Sequence, residues 1–173
     1  MQLVTMKDVV NEARILENVD ADINLVAMFF YDETELQEYI QKNEDDKLVV
    51  ALAYLDNYEE ALEGVEEVRR SLLIALIDRK ITKYFSNFDG LVRKLERDKY
   101  FLIMRQSSLE ALKEQRFHIL DEVKTVNIGN EMAVTLSIGI GLNGANYLQN
   151  YEYCRIAIEM ALGRGGDQVV IKN

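Results

Sequence analysis

The sequence is poor in the residues that form covalent cross-links and metal centres. Its 173 residues include one cysteine, one histidine, no proline and no tryptophan. The single cysteine, Cys154, excludes an internal disulfide and a cysteine-rich metal site, and a free thiol fits a reducing, cytoplasmic setting. The single histidine, His118, lies beside the apolar stripe of a predicted helix and is interpreted as structural. The missing proline and tryptophan support no functional inference.

Positive charge is also scarce. Twenty Lys and Arg residues face thirty Asp and Glu residues, which gives a net charge of -10. Domains that bind nucleic acid carry a basic face, so this balance argues against a nucleic-acid partner. It is compatible with a small nucleotide held by a few local donors or a metal. Every apolar run is interrupted by charge within about a dozen residues, so we expect no membrane contact by this chain itself.

The first 44 residues are predicted to be separate from the rest. The apolar stretch at residues 23–31 is typical of a buried strand, and a short charged helix is predicted over about residues 33–43. Glu44-Asp45-Asp46-Lys47 is a polar break. We therefore predict an N-terminal segment at 1–44 and a domain at 45–173.

Alternating strand and helix patterns fill the domain at 45–173. The order β-α-β-β-α-β-α-β predicts an α+β sandwich with a ferredoxin-like βαββαβ core and a mixed sheet flanked by helices. The predicted strands lie at 48–55, 91–95, 100–104, 133–141 and 168–172, with the glycines of the fourth loosening its end. The predicted helices lie at 58–83, from a cap at Ser107 or Ser108 to about 120, and at 151–162.

In such a sandwich the end of the first strand and the turn of the hairpin lie at the same edge of the sheet. That would bring Asp56-Asn57 close to Glu96-Arg97-Asp98-Lys99. The N-terminus of the following helix, with free N–H groups and the positive end of its dipole, faces this edge too. The sequence therefore predicts a phosphate cradle built mostly from backbone.

Several segments of residues 45–173 resemble a GGDEF domain, the nucleotide-cyclase-like module of bacterial signalling proteins. They are the apolar strand that ends at Asp56, the hairpin, Val134-Thr-Leu-Ser-Ile-Gly139 and the closing helix-glycine-strand unit. Ala161-Leu-Gly-Arg-Gly-Gly-Asp-Gln-Val169, with Leu55-Asp-Asn-Tyr58, resembles more specifically the degenerate GGDEF domain of GdpP-type (YybT-type) cyclic-di-AMP phosphodiesterases. Phe29-Phe-Tyr-Asp-Glu-Thr-Glu35 looks like the last strand and exit motif of a PAS domain.

The resemblance implies that a cyclase site has been lost. Lys94-Leu-Glu-Arg-Asp-Lys-Tyr100 stands where an active cyclase has Arg-Tyr-Gly-Gly-Asp-Glu-Phe, so Lys99 replaces the catalytic, metal-binding acid. On the first strand, Tyr54 replaces the first of two aspartates and Asp56 retains the second. Two-metal phosphoryl transfer needs acidic oxygen ligands, so no diguanylate cyclase activity is expected.

The family's ligand-reading positions are also changed. Its guanine-reading positions fall on Leu62 and Ser71, and its phosphate-gripping positions fall on Leu162 and Gly166, with Arg164 nearby. Loss of the guanine readers is compatible with an adenine nucleotide, so the resemblance implies ATP rather than GTP as ligand, with magnesium accompanying it.

The resemblance implies a regulatory, nucleotide-binding domain of a membrane-anchored cyclic-di-AMP phosphodiesterase, lying on the cytoplasmic side. Its implied partners are the PAS and DHH/DHHA1 domains of the parent chain, with homodimerisation a further expectation. This chain itself should not hydrolyse cyclic-di-AMP, because it contains no Asp-His-His triplet. Two alternatives are a weak metal-dependent ATPase in which Asp98 is catalytic, and a ligand-free dimerisation or spacer module.

Each candidate site residue has a structural alternative. Asp56 is a metal candidate or the cap of the next helix, and Asp98, with Glu96 and Arg97, contacts the ligand or forms a polar turn. Lys99 pairs with phosphate or is an exposed lysine. Arg164 holds phosphate, or the glycines after it end the helix. The nucleotide-binding candidates are Asp56, Asn57, Tyr58, Glu96, Arg97, Asp98, Lys99 and Arg164, and the metal candidates are Asp56 and Asp98.

Overall fold

The computed structural model describes residues 32–173, so the strand predicted over residues 23–31 lies outside the described residues. The described part contains six helices and five strands. In chain order they are α1 (Thr34–Asp45), β1 (Leu48–Leu55), α2 (Tyr58–Leu62), α3 (Glu67–Ser86), β2 (Leu91–Lys94), β3 (Lys99–Arg105), α4 (Gln106–Glu114), α5 (Ile119–Lys124), β4 (Leu136–Gly141), α6 (Tyr147–Gly163) and β5 (Val169–Lys172).

The elements after Asp45 form one compact unit, Asp46–Asn173. Helix α1 belongs to a separate unit and has no buried residue. Within residues 32–173, no helix combines the length and the apolar character that crossing a membrane requires.

The five strands form one mixed sheet in the order β2-β3-β1-β4-β5. Strand β3 lies antiparallel to both β1 and β2, β4 lies antiparallel to β1, and β5 runs parallel to β4. A βαββαβ unit with this strand order is the ferredoxin-like arrangement. The predicted α+β class, with a mixed sheet flanked by helices, is therefore confirmed.

The two faces of the sheet pack against different helices, because side chains alternate along each strand. Val49, Ala51 and Ala53 of β1 join the main apolar cluster together with residues of α2 to α5. Val50 and Leu52 face the other way and pack against Cys154 and Ile158 of α6.

Helix α6 lies close to β4 because two glycines of that strand face it. A Cβ atom at Gly139 would lie 2.3 Å from the backbone nitrogen of Ile158, and one at Gly141 would lie 1.9 Å from the carbonyl oxygen of Asn150. We expected these glycines to loosen the end of the strand. Instead they admit the helix, which no larger residue would allow.

Two predicted helices are each interrupted. The helix predicted at 58–83 is divided into α2 and α3 next to Gly64, whose φ is 76°. The next is divided into α4 and α5 by Arg116 and Phe117, with φ values of 52° and 49°. Left-handed residues end an α-helix locally, and their positions are not evident in an apolar repeat.

Three predicted boundaries are also wrong. Helix α4 begins at Gln106 directly after β3 and has no side-chain cap, so the predicted Ser107 or Ser108 cap does not form. Helix α6 begins at Tyr147 rather than 151, because the side chain of Asn146 caps it by accepting a hydrogen bond from Gln149 N at 2.9 Å. Strand β4 begins at Leu136 rather than 133.

Candidate functional site

The structure brings the end of β1 and the turn of the hairpin together. Leu55 N donates a hydrogen bond to the Asp98 carbonyl at 2.9 Å, and Asp56 N donates to the Thr135 carbonyl at 3.0 Å. The first bond fixes the β2–β3 turn beside the start of α2. A cleft of about 570 Å³ lies between the end of β1 and the hairpin turn and is here called the acidic cleft. It is lined by Leu55, Asp56, Tyr58, Glu59, Glu60, Glu96, Arg97 and Asp98.

A second cleft of about 660 Å³ adjoins the first and shares Tyr58, Glu59, Glu96 and Arg97 with it. Here called the mixed cleft, it is also lined by Leu62, Glu67, Arg70, Ser71, Ile74, Lys94 and Leu95. Leu62 and Ser71, on which the resemblance places the family's guanine-reading positions, thus line one cleft. The Ser71 hydroxyl donates to the Glu67 carbonyl at 3.4 Å within α3.

The two clefts differ in charge. Five of the eight residues that line the acidic cleft are Asp or Glu, and Arg97 is its one cation. The mixed cleft adds Arg70 and Lys94, so its three acids face three cations. A phosphate group would be repelled in the acidic cleft unless a cation accompanies it, whereas the mixed cleft is neutral overall.

Asp56 is held by the loop that follows α6. Its Oδ2 accepts a hydrogen bond from Asp167 N at 2.8 Å, while Oδ1 is buried without a partner in the described part. A Cβ atom at Gly166 would lie 2.7 Å from the Asp56 carboxylate. The cap position of α2 is occupied by Asn57, without a side-chain cap bond, so the alternative that Asp56 caps this helix is wrong.

Asn57 and Tyr58 also have structural contacts. The Asn57 amide donates to the Ala133 carbonyl at 2.8 Å and accepts from Thr135 N at 3.0 Å. It therefore ties the start of α2 to the segment that precedes β4. Tyr58 is buried, and burial raises the pKa of its hydroxyl, against a smaller lowering by Arg97.

At the hairpin, Lys99 is paired twice. Its Nζ donates to Glu96 Oε2 at 2.7 Å and lies 5.5 Å from the centre of the Tyr54 ring. Tyr54 and Lys99 are direct partners in the β1–β3 register. The Glu96 carboxylate raises the pKa of Lys99, so the ammonium stays charged. The two positions that the resemblance assigns to metal-binding acids thus hold a cation–π pair.

Arg97 and Asp98 are the unengaged members of the turn. Within residues 32–173, neither side chain makes a hydrogen bond or ion pair. Both line the acidic cleft. With Glu59 and Glu60, they are the charged groups of that cleft that a ligand could contact without first breaking a bond within the described part.

Arg164 lies apart from the other candidates. It occupies the C-cap position of α6 and lines neither cleft. Gly165 N donates to the Leu162 carbonyl at 3.0 Å and Gly166 N donates to the Ala161 carbonyl at 3.0 Å, which is the Schellman pattern. The glycines therefore end the helix, as the structural alternative predicted.

Sequence reasoning missed two polar clusters near the clefts. Lys124 Nζ lies 2.6 Å from Asp167 Oδ2 and thus joins α5 to the loop that holds Asp56. Lys94 Nζ lies 2.7 and 2.8 Å from the two oxygens of Asp78, which also accepts a hydrogen bond from the buried Tyr100 hydroxyl. Burial and this carboxylate raise the pKa of Tyr100. No spacing in the sequence indicates either cluster, because their members come from separate elements.

The residues at the acidic cleft do not fit a protein-held magnesium ion. Within residues 32–173, no three His, Cys, Asp or Glu side chains are grouped to hold a metal. One oxygen of Asp56 is already hydrogen-bonded, and the Lys99 ammonium carries charge of the wrong sign for a metal site.

Comparison with known proteins identifies the family and the fold of this chain. The family model described as "Cyclic-di-AMP phosphodiesterase GdpP-like, GGDEF domain" matches residues 53–173. The chain is 33% identical over 145 residues to the cyclic-di-AMP phosphodiesterase PdeA of Listeria monocytogenes, covering 84% of this chain and 22% of that protein. It is 30% identical, with the same coverage, to the cyclic-di-AMP phosphodiesterase GdpP of Geobacillus thermodenitrificans. The chain thus spans about a fifth of these relatives.

Solved structures show the same fold. The active GGEEF domain of a diguanylate cyclase from Vibrio cholerae aligns with a TM-score of 0.63, covering 80% of this chain and 90% of that one. Their sequences are 12% identical, so this likeness establishes the fold alone.

Proposed function

The chain belongs to the GdpP-like GGDEF domain family, and from this membership we propose that it is a degenerate, regulatory GGDEF domain of a larger cyclic-di-AMP phosphodiesterase. It binds an adenine nucleotide and does not synthesise cyclic-di-GMP. The parent protein is anchored in the membrane with this domain on the cytoplasmic side, next to PAS and DHH/DHHA1 domains. Hydrolysis of cyclic-di-AMP belongs to the DHH/DHHA1 part.

One observation carries the loss of cyclase activity: Lys99 lies over the Tyr54 ring. The two side chains face each other across β1 and β3, where the resemblance assigns a pair of metal-binding acids. A cation fixed at 5.5 Å from an aromatic ring excludes a second cation from the same space. Two-metal activation of a nucleotide hydroxyl therefore has no ligand set here.

The shape and charge of the clefts support binding of magnesium-bound ATP. The clefts are continuous through Tyr58, Glu59, Glu96 and Arg97, and each has a volume in the range of small-molecule sites. The five acids of the acidic cleft disfavour a free triphosphate, so magnesium acts as the counter-ion of the ligand. Asp98, which is unpaired in the described part, is placed to contact that ion.

The base preference follows from Leu62 and Ser71, which line the mixed cleft. Guanine needs acceptors for its ring N–H and amino groups. Leu62 offers none, and Ser71, whose hydroxyl donates to the Glu67 carbonyl, offers a single hydroxyl oxygen in place of a carboxylate or an amide. A site that leaves polar groups of the ligand unpaired loses affinity for it, so adenine is favoured over guanine.

Calorimetric titration of the chain with ATP and GTP, each with magnesium and with a chelator, tests the proposal. We expect saturable binding of magnesium-bound ATP, about tenfold weaker binding with the chelator, and weaker binding of GTP. Asp98→Ala should lower the affinity for magnesium-bound ATP.

Glu152→Ala is the matched control, because it removes one exposed negative charge on α6, outside both clefts. It should bind ATP as the unmodified chain does. Absence of binding at millimolar ATP, or equal losses in the two variants, would reject the nucleotide site. Synthesis of cyclic-di-GMP from GTP would reject the degenerate assignment.

Slow ATP hydrolysis is a second candidate function, and the free carboxylate of Asp98 is the observation that favours it. If Asp98 orients the attacking water, Asp98→Ala abolishes phosphate release at saturating ATP, whereas a binding role alone raises the ATP concentration needed for half-maximal rate. Protein purified by two independent routes should give the same rate, which excludes a contaminating ATPase.

A further inference from the structure

The face of the sheet that α6 covers is only partly closed. Strand register places Phe101 and Ile103 of β3, with Leu91 and Arg93 of β2, on this face. Helix α6 packs over β1, β4 and β5, while α2 to α5 pack into the cluster on the opposite face. Among the helices of residues 46–173, none covers β2 here, and α6 reaches only the near side of β3, where Phe101 packs against Cys154 and Ile158.

The uncovered strip is apolar. Leu91 is 72% exposed, and Phe101 and Ile103 are half-buried. Along the side that α6 forms, Tyr151 contacts Phe101 with ring centres 6.2 Å apart, and Leu148, one turn earlier, is 68% exposed. Together these residues, here called the open strip, form a continuous apolar surface on a sheet and are too many to be scattered surface residues.

The open strip has the width of one helix. Neighbouring strands lie about 4.8 Å apart, so the uncovered β2 and the partly covered β3 together span roughly 10 Å beside α6. An α-helix with its side chains is about 10 Å across. Packing of one more helix beside α6 would complete the layer.

Charge indicates what kind of helix fits. Arg93 lies on the same face of β2, Arg105 is at the end of β3, and Arg155 follows Tyr151 by one turn of α6. All three are exposed in a chain whose net charge is -10, although Arg105 also contacts Asp46 at 3.2 Å. A helix with an apolar face and acidic flanks would match both the apolar open strip and the three arginines beside it.

The chain itself contains such a helix. In α1, Leu36, Tyr39 and Ile40 follow the i, i+3, i+4 spacing of one helix face and are 53%, 70% and 45% exposed. Glu35 and Glu38 flank this stripe. Helix α1 has no buried residue, so this apolar face is exposed along its length.

We propose that the open strip is the docking site for α1 of a second copy, so that two chains exchange helices across a twofold axis. Each of the two interfaces would bury the apolar face of one α1 against one open strip. Both chains would make the same contact, as a twofold axis requires. This dimer is independent of nucleotide and does not rest on the function proposed above.

Light scattering across a concentration series measures the oligomeric state. The chain of 20.0 kDa should show a dimer that dissociates on dilution. Leu91→Asp and Leu36→Asp should each weaken the dimer about tenfold or more, because each places a charge in the apolar contact. Arg93→Glu, which leaves the apolar contact intact, should weaken it less. The control Ile156→Asp lies elsewhere on α6 at 42% exposure and should change nothing.

Cross-linking then identifies the helix. A Leu36→Cys chain is mixed with a Leu91→Cys chain and treated with a short bis-maleimide. Cys154 is buried and burial raises its pKa to about 12, so it does not compete. A covalent heterodimer supports the exchange, and Ile156→Cys should give none with Leu36→Cys. A chain that carries both Leu36→Cys and Leu91→Cys tests contact within one chain. A monomer at every concentration, a dimer unaffected by Leu91→Asp and Leu36→Asp, or cross-links found only within the doubly substituted chain would overturn the proposal.

Discussion

The two ends of the acidic cleft hold their charged groups in different ways. At the end of β1, Asp56 accepts a hydrogen bond from Asp167, which is itself paired with Lys124. At the hairpin turn, Glu96 pairs with Lys99 three residues away, and Asp98 uses its backbone carbonyl to bind Leu55 N.

The difference lies in sequence separation and burial. The Asp56–Asp167 bond joins residues 111 positions apart and is partly buried, whereas the Glu96–Lys99 pair is local and exposed. Partly buried long-range bonds hold elements together, and exposed ion pairs contribute little to folding stability. Substitutions near Asp56 should therefore lower the free energy of unfolding more, while substitutions in the hairpin turn should change mainly the affinity for ligand.

Gly166→Ala should have the largest effect on stability. The added Cβ would lie 2.7 Å from the Asp56 carboxylate, at a residue whose φ is 76°. Left-handed strain and displacement of Asp56 together should lower the free energy of unfolding by about 3 kcal/mol. Urea denaturation followed by circular dichroism measures the loss.

Substitution of two neighbouring glycines distinguishes the cost of backbone strain from the cost of the steric contact with Asp56. Gly165 has a φ of 101° and open space around its Cβ position, so Gly165→Ala should lose only the strain, about 1–2 kcal/mol. Gly163 has open space and lies in α6, so Gly163→Ala should be neutral or slightly stabilising. Equal losses for Gly165→Ala and Gly166→Ala would show that contact with Asp56 is unimportant.

Asn57→Ala should have the next largest effect. It removes the donor to the Ala133 carbonyl and the acceptor of Thr135 N, leaving that N–H partly buried and unpaired. We expect a loss of about 2 kcal/mol in the free energy of unfolding. Thr135→Val, which removes the hydroxyl but keeps the N–H bond to Asn57, should cost less. If Thr135→Val costs as much, Asn57 does not anchor this segment.

The sequence predicted the order of elements along the chain and the ferredoxin-like core, but not the breaks within two of the helices. Apolar runs and the order of elements were enough for the βαββαβ core, since burial on both faces leaves a continuous apolar pattern in β1. The breaks at Gly64 and at Arg116–Phe117 were missed. The first depends on one left-handed residue and the second on two, and the apolar repeat continues through both.

The candidate site was predicted as a location rather than as a set of contacts. Strand order alone places Asp56 near Asp98, which is why the juxtaposition was accessible from sequence. The bond from Asp167 to Asp56 and the Lys94–Asp78–Tyr100 cluster depend on how the α6–β5 loop and α3 pack against the sheet. Such contacts between distant segments leave no spacing pattern within either segment.

Asp56→Ala compared with Asp98→Ala tests the contrast between the two ends directly. Asp56→Ala leaves Asp167 N without its acceptor and should cost about 1 kcal/mol, a loss limited because the unpartnered Oδ1 disappears too. Asp98→Ala removes a carboxylate that is unpaired in the described part, so its unfolding midpoint should be unchanged. The proposed ATP affinity should fall with Asp98→Ala. A larger loss of stability in Asp98→Ala than in Asp56→Ala would reverse our assignment of the two ends.

Lys99→Met should have the smallest effect on stability, even though Lys99 has two partners. Its bond to Glu96 is exposed and local. The aliphatic part of its side chain packs near Tyr54, and methionine supplies a similar aliphatic part. A double-mutant cycle with Tyr54→Leu, measured by urea denaturation at low and high salt, isolates the contact between the two side chains. Because exposed pairs are screened by salt, most of the Lys99→Met effect should vanish at high salt, while the small coupling to Tyr54 persists. A Lys99→Met loss equal to that of Gly166→Ala would mean that the hairpin turn anchors the fold, and that Lys99 is retained for folding rather than as the residue that excludes a metal.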